Sequence, residues 1–221
     1  MSIAGKTLIM NGSPKGKNGN TEIFIRKFIE GAEEFYDVRY AAKERPEQLV
    51  KDFGTYDTLL FFMPLYVHAM PGIVMEIIEQ MKPAEWKEQK IGFVVQSGFV
   101  EAAQSDYAKA YFELLAKRLG YHYLGTVVRG GAAGVCMMPE KANAQLFEVL
   151  HSLGSGFQSA GTFDGNTVKT LGTPYRLPER QSRKYELLYR LKLGNLVWYI
   201  MLLRNKAFRK RRATPYLEKS K

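Results

Sequence analysis

The chain has 221 residues, of which 46% are hydrophobic, so it can fold one sizeable core or one domain with an appendage. Its single cysteine, Cys136, excludes an intramolecular disulfide and any four-cysteine zinc or iron–sulfur site, and it suits a reducing compartment. Residues 1–174 carry 18 Lys and Arg against 19 Asp and Glu, whereas residues 175–221 carry 14 against 3. We therefore predict a neutral domain, 1–174, and a separate basic extension, 175–221.

Short apolar runs alternate with segments of helical periodicity throughout the domain. In chain order they predict a strand at 6–10, a helix at 21–34, strands at 36–40 and 58–63, a helix at 71–81, a strand at 91–96, a helix at 106–119, a strand at 123–128, and a helix at 140–161 that loosens at its glycines. Strands in which apolar and polar residues do not alternate strictly, each followed by a helix, are typical of a parallel sheet covered on both faces. We expect an α/β fold, a flavodoxin-like, doubly wound five-stranded parallel sheet, with ligands beyond the carboxyl ends of its strands.

The first strand-end loop is rich in glycine, lysine and asparagine. It reads GSPKGKNGNT, residues 12–21, and it leads into a helix that we expect to begin near Asn20. A helix N-terminus with unpaired N–H groups, approached by a flexible loop with donor side chains, favours a phosphate. An ordinary capped turn between strand and helix is the alternative. The spacing fits neither the triphosphate loop nor the dinucleotide fingerprint.

The same ten residues closely resemble the phosphate loop of the NAD(P)H-dependent FMN reductase family, whose usual form is G-S-P-[KR]-x…G-N-T. The resemblance spans residues 5–160 and implies that this loop holds the phosphate of FMN. The residues to which it assigns this role are Ser13, Lys15, Asn18, Asn20 and Thr21.

The second strand-end loop, MPLYVHAMPG at 63–72, has the P-x-Y and Met-Pro pairs that are common in this family. A flat ligand needs apolar and aromatic walls and backbone donors. The resemblance places the edge of the flavin ring along Pro64, Leu65, Tyr66, Val67 and His68. The following helix departs from the pattern, because many relatives carry a lysine and an Asp-Arg pair where this chain has Met75, Glu79 and Gln80.

The third strand-end loop, QSGFVEAAQ at 96–104, resembles a subset of the family. It implies that Ser97, Gly98 and Phe99 border the flavin ring, and we expect Glu101 to cap the next helix. A fourth stretch, RGGAAGV at 129–135, follows the last strand. This stretch can form the rim of the cofactor site, give access to nicotinamide, or be a plain loop, and the sequence leaves all three roles open.

The resemblance implies an FMN-dependent enzyme that passes hydride from NAD(P)H to flavin and then reduces a small-molecule acceptor such as a quinone or free flavin. It also implies a homodimer. Hydride transfer to flavin needs no protein base, so we predict no catalytic side chain and assign His68 to the ring wall or the surface. We predict no metal site. A flavodoxin-like electron carrier, or a scaffold that no longer catalyses, is the alternative.

The basic extension contains a loose apolar stripe, a break at Gly194–Asn195 and the cluster Arg209–Arg212 within residues 185–212. It can pack as extra helices on the domain or on a partner subunit, or it can lie on an anionic membrane surface. Nucleic acid is disfavoured because the aromatic residues cluster with aliphatic ones. No secretory signal or spanning segment is evident, so we expect a cytoplasmic protein, with peripheral membrane association open.

Overall fold

The computed structural model describes residues 5–86, 88–191 and 194–214. The chain divides into two compact units, Met1–Arg176 and Leu177–Lys221. The first unit holds one five-stranded sheet in which all strands are parallel and the order is β2-β1-β3-β4-β5. The strands are β1 Thr7–Asn11, β2 Asp37–Tyr40, β3 Thr58–Pro64, β4 Lys90–Gln96 and β5 His122–Arg129. The predicted flavodoxin-like fold is confirmed, and every strand lies within one residue of its predicted bounds.

Helices cover both faces of this sheet. Those of the first unit are α1 Asn20–Ala32, α2 Pro46–Phe53, α3 Gly72–Gln80, α4 Asp106–Leu119, α5 Ala144–Ala160 and α6 Gly165–Leu171. One apolar layer joins α2, α3 and α4 to the sheet, and a second joins α1, α5 and α6 to the opposite face. The sequence prediction missed α2 and α6, which are only 8 and 7 residues long.

The prediction that the helix at 140–161 loosens at its glycines is wrong. Helix α5 runs without interruption through Gly154 and Gly156 and ends at Gly161 in a left-handed cap. A Cβ atom at Gly154 would lie 1.9 Å from the Phe28 carbonyl oxygen, so the glycine lets the backbones of α1 and α5 touch. Gly31 of α1 faces α5 in the same way, because a Cβ there would lie 2.1 Å from the His151 carbonyl oxygen. These glycines tighten the packing.

The second unit contains α7, Glu179–Arg190, α8, Gly194–Arg204, and a 3₁₀ turn, Phe208–Lys210. A break at Gly194–Asn195 is predicted, and the structure has two separate helices there: α7 ends at Arg190 and α8 begins at Gly194, with residues 192–193 outside the described part of the chain. In this unit, no residue of 177–191, 195–196 and 198–214 is buried. Within the described residues, every helix is too short or too polar to cross a membrane.

Candidate functional site

The carboxyl ends of β1, β3 and β4 and the loop after β5 surround a cavity of about 350 Å³, the strand-end cavity. Parallel strands bring their carboxyl ends to one edge of the sheet, so the three predicted loops meet there. Nine of the predicted residues line it: Ser13, Lys15, Asn20, Thr21, Pro64, Leu65, Tyr66, Ser97 and Gly98. Four predicted residues do not line it: Asn18, Val67, His68 and Phe99.

A partly buried polar network holds the base of the first loop. The Asn11 carboxamide donates to the Glu22 carboxylate at 2.9 Å and accepts the Ser13 N–H at 3.0 Å. The Tyr40 hydroxyl donates to the other oxygen of Glu22 at 3.0 Å. Burial, assisted by this hydrogen bond and the charge of Glu22, raises the pKa of Tyr40 to about 12, so the phenol stays a donor across the physiological range. The loop is therefore fixed from below.

The first loop leads into the N-terminus of α1, which lies at the strand-end cavity and has no side-chain cap. Gly19 is the N-cap of α1, and no side chain makes a capping hydrogen bond there. Ser13 is 3% exposed and Thr21 is fully buried, and both line the cavity. A Cβ on Gly19 would lie 3.1 Å from Ser13 Oγ, so the space between loop and helix is narrow. First-turn N–H groups have no partner within their own helix and attract an anion.

Lysine and asparagine residues of the loop divide between cavity and surface. Lys15 lines the strand-end cavity, whereas the ammonium of Lys17 lies 5.4 Å from the centre of the Tyr40 ring. Asn18 ends the 3₁₀ turn Gly16–Asn18 and is exposed. Of the two lysines in this loop, Lys15 is therefore the one that lines the cavity.

Asn20 anchors the loop that follows β5. Its carboxamide donates to the Ala132 carbonyl at 2.6 Å and accepts the Cys136 N–H at 2.9 Å. That loop contributes Ala132, Ala133, Cys136 and Met137 to the lining. The stretch whose role the sequence left open is thus a rim of the cavity, and Asn20 holds it against the start of α1.

Gln96, the last residue of β4, is a site residue that the sequence analysis missed. Its side chain is 4% exposed, and its carboxamide nitrogen donates to Thr21 Oγ1. Its Oε1 atom is buried and has no hydrogen-bond partner in the described part of the chain. An unsatisfied buried acceptor costs free energy, so a ligand with a donor at this point would be favoured.

Backbone donors of the second and third loops are largely used within the protein. The Leu65 N–H donates to the Gln96 carbonyl at 2.8 Å, and the Ser97 N–H donates to the Arg129 carbonyl at 2.9 Å. Tyr66 and Ala69 exchange two hydrogen bonds across a tight turn. Glu101 stands at the N-cap of a 3₁₀ turn, Ala102–Ser105, without a side-chain capping bond, so the predicted cap is wrong.

The tight turn places Val67 and His68 in left-handed backbone, with φ of 47° and 67°. The His68 ring stacks on Phe99 with centroids 5.4 Å apart, and His68 Nδ1 lies 3.0 Å from the Gln104 carbonyl oxygen. These contacts join the second and third loops beside the cavity. His68 is a bridge between loops and does not line the cavity.

Val67→Asn is expected to stabilise the domain by about 1 kcal/mol, because asparagine tolerates a left-handed conformation that strains a β-branched residue. The side chain of Val67 is 85% exposed, so the change removes little packing. Urea unfolding followed by circular dichroism measures the effect. Val67→Ala is the control, and equal stabilisation by alanine would contradict left-handed strain as the cause.

Several solved structures share this fold at low identity. An FMN-dependent NADH-azoreductase from Bacillus anthracis, in complex with FMN, is 13% identical over 69% of this chain and 98% of its own, with a TM-score of 0.53. General stress protein 14 from Treponema denticola, also with FMN, is 17% identical over 71% and 99%, with a TM-score of 0.55. The NAD(P)H:quinone oxidoreductase from Methanothermobacter marburgensis is 12% identical over 69% and 96%, with a TM-score of 0.52. No protein-family model and no curated protein matches the chain.

Proposed function

We propose that the chain is an FMN-dependent oxidoreductase that takes hydride from NAD(P)H and reduces a small-molecule acceptor. The observation that carries the proposal is Gln96, which lines the same cavity as an uncapped helix start and whose buried Oε1 has no hydrogen-bond partner among the described residues. An anion site and a nearby unsatisfied acceptor suit a ligand that joins a phosphate to a hydroxyl-bearing chain. Two of the three neighbours were solved with FMN, which has this chemistry.

The phosphate would lie at the start of α1. Thr21 Oγ1 accepts from Gln96, so its own proton is left for a phosphate oxygen. The buried Ser13 hydroxyl and the first-turn N–H groups add donors, and Lys15 adds charge. A buried dianion needs hydrogen-bond donors and positive charge around it, because burying the dianion without them would be costly. These groups supply both, so they fit a dianion better than a neutral ligand.

The middle and far parts of the cavity fit the rest of the cofactor. Gln96 Oε1 would accept a hydrogen bond from a ribityl hydroxyl. Leu65 and Tyr66 on one side, and Ala132 and Met137 on the other, offer the apolar and aromatic walls that a flat ring needs. Held by these residues, FMN would supply the redox chemistry between NAD(P)H and the acceptor.

The chain's own contribution is to bind and orient. The hydrogen bond from Asn20 to Ala132 and the stack of His68 on Phe99 fix the loops around the ring. No side chain needs to move a proton for hydride transfer, so we assign none as catalytic. Tyr66, 47% exposed, and Met137, 64% exposed, leave an open side at which nicotinamide and acceptor can alternate.

The purified full-length protein tests the proposal directly. We expect a yellow protein, or FMN uptake on titration, and NAD(P)H oxidation that depends on an added quinone. FMN binding without NAD(P)H oxidation would favour an electron carrier. A colourless protein that takes up no FMN would favour a scaffold. The homodimer expected from the resemblance stays a prediction.

We also propose that the second unit binds an anionic membrane surface, which would give the enzyme access to lipid-soluble quinones. No residue of 177–191, 195–196 and 198–214 is buried, and the apolar side chains of Leu196, Trp198 and Leu203 are each about 60% exposed. The exposed basic cluster Arg209–Arg212 follows directly. Apolar and aromatic side chains next to basic ones are typical of a helix that lies in the headgroup region.

Sedimentation of the full chain with phosphatidylserine-containing vesicles measures this binding. Neutralising Arg209–Arg212 with glutamine is expected to cost about 4 kcal/mol of binding, because each basic residue near such a surface contributes about 1 kcal/mol. Phosphatidylcholine vesicles and high salt are expected to give weak binding. Equal binding to neutral vesicles, or self-association without binding to any vesicle, would contradict the membrane proposal.

A further inference from the structure

Arg129 is a charged residue at the edge of the sheet that the proposed function does not use. It is the last residue of β5, and β5 is an edge strand. Val127, two residues earlier, packs in the apolar layer of α1 and α5. Alternate residues of a strand share a face, so Arg129 lies on the α5 side of the sheet.

Within the described part of the chain, the guanidinium of Arg129 has no carboxylate partner. Its Nε atom is buried without a hydrogen-bond partner, and no described carboxylate forms an ion pair with it. Burial lowers the pKa of Arg129 from its ordinary value, although arginine stays charged in proteins. A partly buried cation without a partner destabilises a fold, so an anion at this point would be favoured.

Arg129 lines a second cavity of about 380 Å³ between α5 and the end of α6, the edge cavity. Its volume falls in the range of small-molecule sites. None of the residues that line the edge cavity also lines the strand-end cavity. Gln145 shares the polar side with Arg129, and Leu146, Val149 and Leu171 form apolar walls.

The edge cavity has few free donors. Thr170 and Thr173 also line it, but their hydroxyls donate to the carbonyls of Asn166 and Lys169 at 2.9 Å each. The remaining side-chain donors are the guanidinium and the Gln145 carboxamide. A planar carboxylate, which pairs with one guanidinium through two parallel hydrogen bonds, is better matched than a phosphate, whose additional oxygens would lack donors.

We propose that the edge cavity binds a small organic carboxylate, whose charged group pairs with Arg129 and whose apolar body contacts Leu146, Val149 and Leu171. This site shares no lining residue with the strand-end cavity, and the proposal does not require flavin to be bound. The guanidinium and the apolar walls require a ligand with a planar negative group and an apolar body. Benzoate has both and is a suitable probe.

Side-chain NMR of the ¹⁵N-labelled full chain, as purified, tests the proposal through the Arg129 Nε–H resonance. We expect benzoate to shift this resonance saturably, and the neutral isostere benzamide to leave it unchanged. Arg129→Gln lacks this resonance, so its binding is followed by the rise in unfolding temperature that benzoate causes; we expect binding at least about tenfold weaker, since the variant removes the charged hydrogen bonds. Arg26→Gln is the matched control, because Arg26 is exposed, and it should bind benzoate like the parent chain.

Thermal unfolding supplies a readout that does not depend on NMR. Arg129→Met is expected to unfold at a higher temperature than the parent chain without ligand, because the unpaired charge is gone, and to show no response to benzoate. Benzoate should raise the unfolding temperature of the parent chain. A less stable methionine variant would show that the guanidinium already has a partner. The absence of a saturable benzoate shift in the millimolar range, or an equal shift with inorganic phosphate, would likewise overturn the proposal.

Discussion

Alanine at Gly154 is expected to destabilise the domain by about 3 kcal/mol, because the added methyl group would collide with backbone and no flexible side chain can yield. Its Cβ would lie 1.9 Å from the Phe28 carbonyl oxygen and 2.9 Å from the Ala32 nitrogen, both on α1. Helices α1 and α5 would have to separate, which would open the apolar layer that they share with the sheet. Urea unfolding followed by far-UV circular dichroism measures the loss.

Gly156→Ala is the matched control within the same helix. A Cβ at Gly156 would lie 3.6 Å from Asp164 Cβ, an ordinary contact, so we expect stabilisation by about 0.5–1 kcal/mol from helix propensity. The two variants make the same chemical change two residues apart and should shift stability in opposite directions. Equal effects would show that propensity, and not the close approach of the two helices, determines stability here.

The two glycines also show why the sequence predicted this helix wrongly. Glycine has a low intrinsic helix propensity, and from this local signal the sequence analysis predicts that the helix loosens at its glycines. A glycine can weaken a helix, or it can allow a second helix to approach closely. Which of the two occurs depends on what packs against the glycine, and a single sequence does not contain this information. The short helix α6 had a usable local signal that we missed, since Asp164 accepts the Thr167 N–H at 2.7 Å as its N-cap.

Most of the strand-end cavity was predictable because parallel topology alone brings three loops to one edge. Individual contacts were less predictable. Gln96 ends an apolar strand, and the neighbouring sequence does not predict that its carboxamide donates a hydrogen bond to Thr21, 75 positions earlier in the chain. The contact of Asn20 with a phosphate stays a prediction, whereas the hydrogen bonds of its side chain to the loop after β5 had no signal in the sequence. Long-range partners of polar side chains are fixed by packing, which local pattern does not encode.

Thr21→Val is expected to weaken FMN binding by about 10- to 100-fold, since it replaces the only polar atom of a buried side chain with a methyl group of similar size. Thr21 is fully buried and lines the strand-end cavity. The change removes the hydroxyl that we propose as a donor to the phosphate, and it leaves the Gln96 amide nitrogen without the acceptor that it has now. We also expect a loss of about 1–3 kcal/mol in stability from that unsatisfied nitrogen. Titration of FMN fluorescence on the folded variant measures the affinity.

Two further variants separate the cofactor effect from the fold. Thr55→Val removes an exposed hydroxyl that donates to the Asp52 carbonyl, away from the cavity, and should bind FMN like the parent chain. Gly19→Ala would place a methyl group 3.1 Å from Ser13 Oγ and 3.2 Å from Lys15 Cβ, and it should weaken FMN binding more than it lowers stability, because its backbone conformation suits alanine. If Thr21→Val and Gly19→Ala both bind FMN as tightly as Thr55→Val, the start of α1 does not hold the phosphate, and the assignment of the strand-end cavity to FMN fails.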